Sequence, residues 1–130
     1  MKEPGVAAKI LIVDDEAHLR MLIQQTLEEL EDEGVELITA SNGEEALETI
    51  QSERPNLVFL DVMMPKLSGF DVCDRTKHAL GLRDVYIVLL TAKGQEFDRQ
   101  RGQQVGADLY MTKPFDPDAL LEKARDVLGL

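Results

Sequence analysis

The chain has 130 residues, 44% of them hydrophobic, and carries 25 acidic against 14 basic side chains for a net charge of −11. That length suits one domain with an ordinary core, and that charge disfavours direct nucleic-acid binding and an anionic membrane surface. No apolar run approaches the roughly 20 residues that span a bilayer, residues 1–5 lack the apolar stretch of a signal peptide, and the lone Cys73 permits no intrachain disulfide, so a cytoplasmic protein is expected.

Residues 1–8 read as a frayed tail ahead of one domain over 9–130. The apolar run at 10–13, Ile-Leu-Ile-Val, predicts a first strand and is followed at once by Asp14 and Asp15. A helix is predicted over about 16–30, with Leu19, Leu22, Ile23, Thr26, Leu27 and Leu30 on one stripe. It ends in Glu28, Glu29, Glu31, Asp32 and Glu33, read as a solvated and somewhat unfavourable last turn. A second strand at 35–40 leads into Ser41-Asn42-Gly43-Glu44, read as a capping box for the second helix.

The third strand, 57–60, is again continuously apolar and is followed at once by Asp61. Ser68 is placed to cap the third helix, which carries Cys73, expected to pack inward as a small apolar residue. A fourth strand at 86–91 ends on Thr91. The fourth helix, between 96 and 106, is weak: only Phe97, Val105 and the stem of Arg101 read as inward-facing, and Gly102 lies inside it at about 1 kcal/mol relative to alanine. A fifth strand at 109–111 precedes Lys113. Asp116 and Pro117 open the last helix with a cap and a first-turn proline, its inner face being Leu120, Leu121, Ala124, Val127 and Leu128.

Strands buried on both faces, alternating with helices, imply a doubly wound α/β fold. In such sheets ligands bind beyond the carboxyl ends of the strands. Asp14 and Asp15, Asp61, Thr91 and Lys113 all fall at those ends. Three carboxylates brought together repel unless neutralised, and a hard divalent cation suits oxygen-only ligands. A carboxylate can serve as nucleophile toward phosphorus; an ammonium and a hydroxyl can then pair with the phosphoryl oxygens. One site thus accounts for all five residues.

The segments ILIVDDE, VFLDVMMPKLSGF, VLLTAKG and YMTKPF, with the spacing from Asp61 to Thr91 and to Lys113, resemble the receiver domains of bacterial response regulators over residues 9–128. The resemblance implies a flavodoxin-like three-layer sandwich with a five-stranded parallel sheet of order 2-1-3-4-5. It implies Asp61 as phosphoacceptor, and Mg²⁺ (Mn²⁺ substituting) held by Asp14, Asp15, Asp61 and the Met63 carbonyl, Asp15 directly and Asp14 partly through water. Thr91, Lys113 and the Ala92 backbone would bind the phosphoryl group, Thr91 and Tyr110 would form the switch, and a cis bond before Pro114 would aim Lys113. A sensor histidine kinase or a histidine phosphotransfer protein would supply the phosphoryl group. The surface of the fourth helix, fifth strand and fifth helix would then change for a downstream output protein. The Gly102-containing helix is expected to be the softest part of that surface.

The resemblance also implies that Met63 and Lys93 tune phosphoryl lifetime. Methionine neither orients water nor acts as a base, so slow hydrolysis is expected. Met21, with Ala17 and His18, reads either as an exposed patch near the mouth of the site, where the resemblance implies that kinases dock, or as an idle surface methionine. His18 and His78 read as surface residues and Phe115 as core. Only Gly129 and Leu130 follow the last helix, which favours a single-domain switch. The alternatives are a receiver cut from a longer transcription factor or output enzyme, and an aspartyl-nucleophile Mg²⁺ phosphatase. The second is disfavoured because Met63 stands where a second acid is needed. A flavin-binding module is disfavoured because Asp14-Asp15-Glu16 would repel a phosphate.

Overall fold

The computed structural model describes residues 7–92, 97–113 and 115–130, without the side chains of 92 and 97–99. Five strands, Lys9–Val13 (β1), Glu36–Ala40 (β2), Leu57–Asp61 (β3), Tyr86–Ala92 (β4) and Leu109–Lys113 (β5), pair in parallel in the order β2-β1-β3-β4-β5. The α-helices are Ala17–Leu27 (α1), Gly43–Glu53 (α2), Gly69–Asp74 (α3), Phe97–Gln104 (α4) and Pro117–Leu128 (α5). This is the expected doubly wound sandwich.

Strand periodicity sorts the core into two layers. Leu11, Val13, Val58, Leu60, Ile87 and Leu89 pack with Ala46 and Ile50 of α2 and with Phe70, Val72 and Cys73 of α3. Ile10, Ile12, Leu57, Phe59, Val88 and Leu90 pack with Ile23 and Leu27 of α1 and Leu120 and Ala124 of α5. Both faces of the central strands are therefore covered, which is why β1, β3 and β4 read as unbroken apolar runs. Each fully buried leucine or isoleucine contributes about 2 kcal/mol. The chain runs outward from β1 to β2, then returns to the other side of β1 as β3. That reversal opens a crevice at the carboxyl ends of β1 and β3.

Several local expectations are corrected. The first helix ends at Leu27 and tightens into a 3₁₀ segment over Glu28–Glu33, closed by Gly34 at φ 87°. Acids at a helix C-terminus oppose the dipole, and the chain exits early. Two of them are not simply solvated, because Arg125 of α5 binds Glu29 at 2.6 Å and Glu33 at 2.8 Å. Leu22 leaves the buried stripe and is 45% exposed; the inward positions narrow to Ile23, Leu27 and Leu30.

The second helix is capped by Asn42, whose side chain accepts from Glu45 N at 2.8 Å, rather than by Ser41. A complete capping box appears instead at Ser68 and Asp71 of α3. That helix continues as a π-helical turn, Arg75–Ala79. Arg101 is exposed; its guanidinium lies 4.7 Å over the Phe70 ring, so its stem does not join the core. The Asp116 cap and Pro117 are as expected. Cys73 is buried and its thiol is pushed up to about 12 by burial. His18 and His78 are exposed, and Phe115 packs against the core. Lys93, Pro114 and the start of the tail lie outside the described residues.

Candidate functional site

Strand register builds the site. Val13 pairs with Leu60, so the next residues, Asp14 and Asp61, leave adjacent strands at the same level. Asp61 pairs with Leu90, and Thr91 and Lys113 lie one and two steps farther along β4 and β5. Carboxylate oxygens of Asp14, Asp15 and Asp61 come within 4.8 Å of one another. Asp14 is fully buried, Asp61 is 4% exposed and Asp15 faces solvent. Lys113 Nζ donates to Asp14 Oδ2 and to Asp61 Oδ1, each at 3.0 Å. One ammonium thus serves two buried carboxylates while a third stands beside them.

Among the described residues, the cluster carries more negative than positive charge. Burial pushes the Asp61 carboxyl up to about 6; the hydrogen bond from Lys113 opposes the rise, and the neighbouring Asp14 charge adds to it. For Lys113, burial disfavours the charge, but the hydrogen bonds to Asp61 and Asp14 prevail and hold its pKa above the ordinary value. Asp61 is therefore mostly ionised at neutral pH with its pKa near the working range, as suits a nucleophile. The three convergent carboxylates, two buried and one open to solvent, fit a hard divalent cation.

Thr91 is 2% exposed, and its Oγ1 has no hydrogen-bond partner among the described residues. A buried hydroxyl left unpaired costs free energy, so the site holds a donor waiting for an acceptor. Thr91 shares a sheet face with Leu89, whose register partner on β5 is Tyr110. The two are diagonal neighbours on that face. Tyr110 packs against the core cluster on that side.

The comparisons agree with this geometry. The family described as response regulator receiver domain matches residues 10–125. This chain belongs to that family. A probable transcriptional regulator, ycf27 of Pyropia yezoensis, is 49% identical over 92% of the chain and 47% of its own length. The alkaline phosphatase synthesis transcriptional regulatory protein PhoP of Bacillus subtilis is 45% identical over 92% of the chain and 48% of its own length. The chain thus spans about half the length of these curated relatives. Among solved structures, the chemotaxis protein CheY4 of Vibrio cholerae superposes with a TM-score of 0.81 at 34% identity, covering 94% of this chain and 99% of that one.

Receiver domains are signalling domains of two-component systems, and the chain is one of them. They typically bind Mg²⁺ and are switched by phosphorylation. The phosphatase alternative is not favoured. Among the described residues no helix is long and apolar enough to cross a membrane.

Sequence reasoning located Asp14, Asp15, Asp61, Thr91 and Lys113, and the fold brings them to one edge of the receiver. Met63, two residues after Asp61, is 62% exposed. Two supporting residues were missed. A Cβ on Gly69 would lie 2.3 Å from the Asp61 carbonyl oxygen and 2.9 Å from Val62 Cα, so only glycine lets α3 start against the Asp61–Val62 peptide. Gly69 N donates to Val62 O at 3.0 Å and holds that turn closed. The only sequence signal was a glycine directly after the Ser68 cap. The other is Arg20, whose Nη1 donates to the Asp14 carbonyl at 2.6 Å; a helix arginine carries no pattern that reveals its reach.

Proposed function

We propose that Asp61 accepts a phosphoryl group from the phosphohistidine of a sensor kinase or phosphotransfer protein, and that this shifts the surface formed by α4, β5 and α5. The buried Asp61 carboxylate, sharing the Lys113 ammonium with Asp14, is the observation that carries the reading. An Asp61 oxygen attacks phosphorus, the phosphorus–nitrogen bond of the donor breaks, and the imidazole leaves with the electron pair. Lys113 moves from the carboxylates onto the phosphoryl oxygens, which carry more charge. The Ala92 backbone N–H and the Thr91 hydroxyl donate to the same group.

Asp14, Asp15, Asp61 and the Met63 carbonyl would hold Mg²⁺, with Mn²⁺ able to replace it, and the bound ion supplies neutralisation of the gathered negative charge. The buried Thr91 hydroxyl, without a hydrogen-bond partner among the described residues, supports the switch: once Thr91 turns to the phosphoryl group, space opens on the face shared with Tyr110. The phosphoryl group then biases two packings that already exist. Because the matched regulators are about twice as long, the output is either a separate protein or a further segment of a longer chain.

Intact-mass measurement after incubation with Mg²⁺ and a small acyl-phosphate donor tests this. Wild type should gain one phosphoryl adduct and Asp61→Asn none. An adduct on both, or on neither, would sink the proposal. Followed over time, the adduct should persist longer than in a Met63→Asn variant, because an exposed methionine offers attacking water no partner.

A further inference from the structure

The acidic loop between β1 and α1 has a fastening of its own. Asp14 is fully buried, so its main-chain carbonyl needs a partner. It lies just beyond the last β1–β2 register pair, Val13 and Ala40; Asp14 N still donates to Ala40 O at 3.3 Å. The carbonyl is met by Arg20 Nη1 at 2.6 Å. Arg20 N also donates to Glu16 O at 3.1 Å. That backbone bond belongs to the helix start, so the guanidinium alone reaches back across the loop. Inside it, Glu16 N donates to Asp14 Oδ1 at 3.0 Å, while Lys113 holds Asp14 Oδ2. Every group of Asp14 that can bond is engaged, and Asp15 follows it directly with no bond from its own carboxylate needed to place it.

We propose that Arg20 is a positioning residue for the acidic site: by holding the Asp14 carbonyl, its guanidinium sets the direction in which Asp14 and Asp15 present their carboxylates to a divalent cation. The inference rests on the metal-binding reading above. Arginine suits the task because it stays charged and its fork keeps a fixed geometry. Partners behind the ligands of a metal site commonly change affinity by 10-fold or more.

Two effects of removing Arg20 have opposite signs, which makes the proposal decidable. Arg20 is a cation near three anions, so electrostatics alone would let Arg20→Met bind Mg²⁺ more tightly. Loss of positioning would weaken binding. Calorimetric titration of Mg²⁺ into the full chain should show Arg20→Met weaker than wild type by roughly 10-fold. Arg20→Lys, which keeps the charge and loses the fork, should fall between them. The Mg²⁺ concentration for half-maximal phosphorylation should rise in parallel, with the rate at saturating Mg²⁺ within about 2-fold of wild type.

Equal or tighter Mg²⁺ binding by Arg20→Met, or a lower melting temperature with unchanged affinity, overturns the proposal. If Arg20→Met does not fold, Arg20→Lys decides by the same titration: weaker binding supports it and unchanged binding overturns it. Wild type failing to bind Mg²⁺ at all would overturn the site reading, and this inference with it.

Discussion

Two lysines, Lys77 buried and Lys113 partly buried, mark the two ends of the same sheet, and they do different work. At the carboxyl end, Lys113 is shared between Asp14 and Asp61, with Asp15 beside them. At the amino end, Lys77 from the π-helical turn meets Asp108, just before β5, at 2.7 Å and the Arg83 carbonyl at 3.1 Å. Asp108 Oδ2 also accepts Ile87 N of β4 at 2.9 Å. The second pair is one cation to one anion with further bonds made, and it ties α3, β4 and β5 together. Among the described residues, the first is one cation to three anions. Both pairs are at least partly buried; the imbalance is what suits the first to the divalent cation and phosphoryl group proposed for it.

The largest effect expected in solution is at the balanced end. Asp108→Ala leaves the Lys77 ammonium, 5% exposed, without its carboxylate, and should cost about 3 kcal/mol by urea unfolding. Lys77→Met should cost less, roughly 1 kcal/mol, because Asp108 is 32% exposed and keeps Ile87 N. Equal and negligible losses for both would erase the distinction between a structural pair and a functional one.

The unbalanced end should respond to pH and metal instead. In the fold the Asp61 carboxyl titrates at about 6 against an ordinary 3.8, so the folded chain holds that proton more tightly than the unfolded chain. Its contribution to stability is therefore fully present below pH 3.8 and is lost as pH rises through about 6. The shift caps the effect at about 3 kcal/mol, and solvent reaching the site lowers it to roughly 2 kcal/mol. With EDTA present, Asp61→Asn should outmelt wild type at pH 7.5 and lose most of that advantage at pH 4.5. Mg²⁺ at pH 7.5 should raise the wild-type melting temperature more than that of Asp61→Asn. A gap between the two proteins that ignores pH would show that Asp61 is not the strained group.

The smallest effect concerns α4, which flanks the strand joining both ends. A Cβ on Gly102 would stand 3.2 Å from Tyr110 Cδ2 and 3.4 Å from Leu89 Cδ1. Alanine gains about 1 kcal/mol of helix propensity and must displace that ring slightly. Gly102→Ala should therefore leave stability within about 1 kcal/mol of wild type while changing hydrogen exchange in α4 relative to α5. Wild-type exchange equally slow in both helices would argue against α4 being the softer element.

Much of this molecule was legible in one dimension. Unbroken apolar runs revealed strands covered on both faces, and the acids, hydroxyl and amine at their ends revealed a site, because β-strands place their last residues where a parallel sheet opens. The misread details share one cause. Leu22 has the right spacing for the core, yet α5 covers a narrower stripe of α1 than periodicity allows. Ser41 and Asn42 are both good caps, and only the path from β2 decides between them. The reading of Gly102 as a weak point of its helix stands, and the fold adds that the Tyr110 ring comes close to it.

The order of hydrophobic runs and polar strand ends, written in the chain itself, determined the doubly wound architecture and named the five residues at the carboxyl edge, because burial and chain direction are local consequences of residue type. Tertiary packing alone decided how charge is shared among them. Lys113 divided between two carboxylates, Lys77 paired with the single carboxylate of Asp108 and Thr91 without a hydrogen-bond partner among the described residues depend on distances between segments far apart in sequence, and no local pattern encodes such distances.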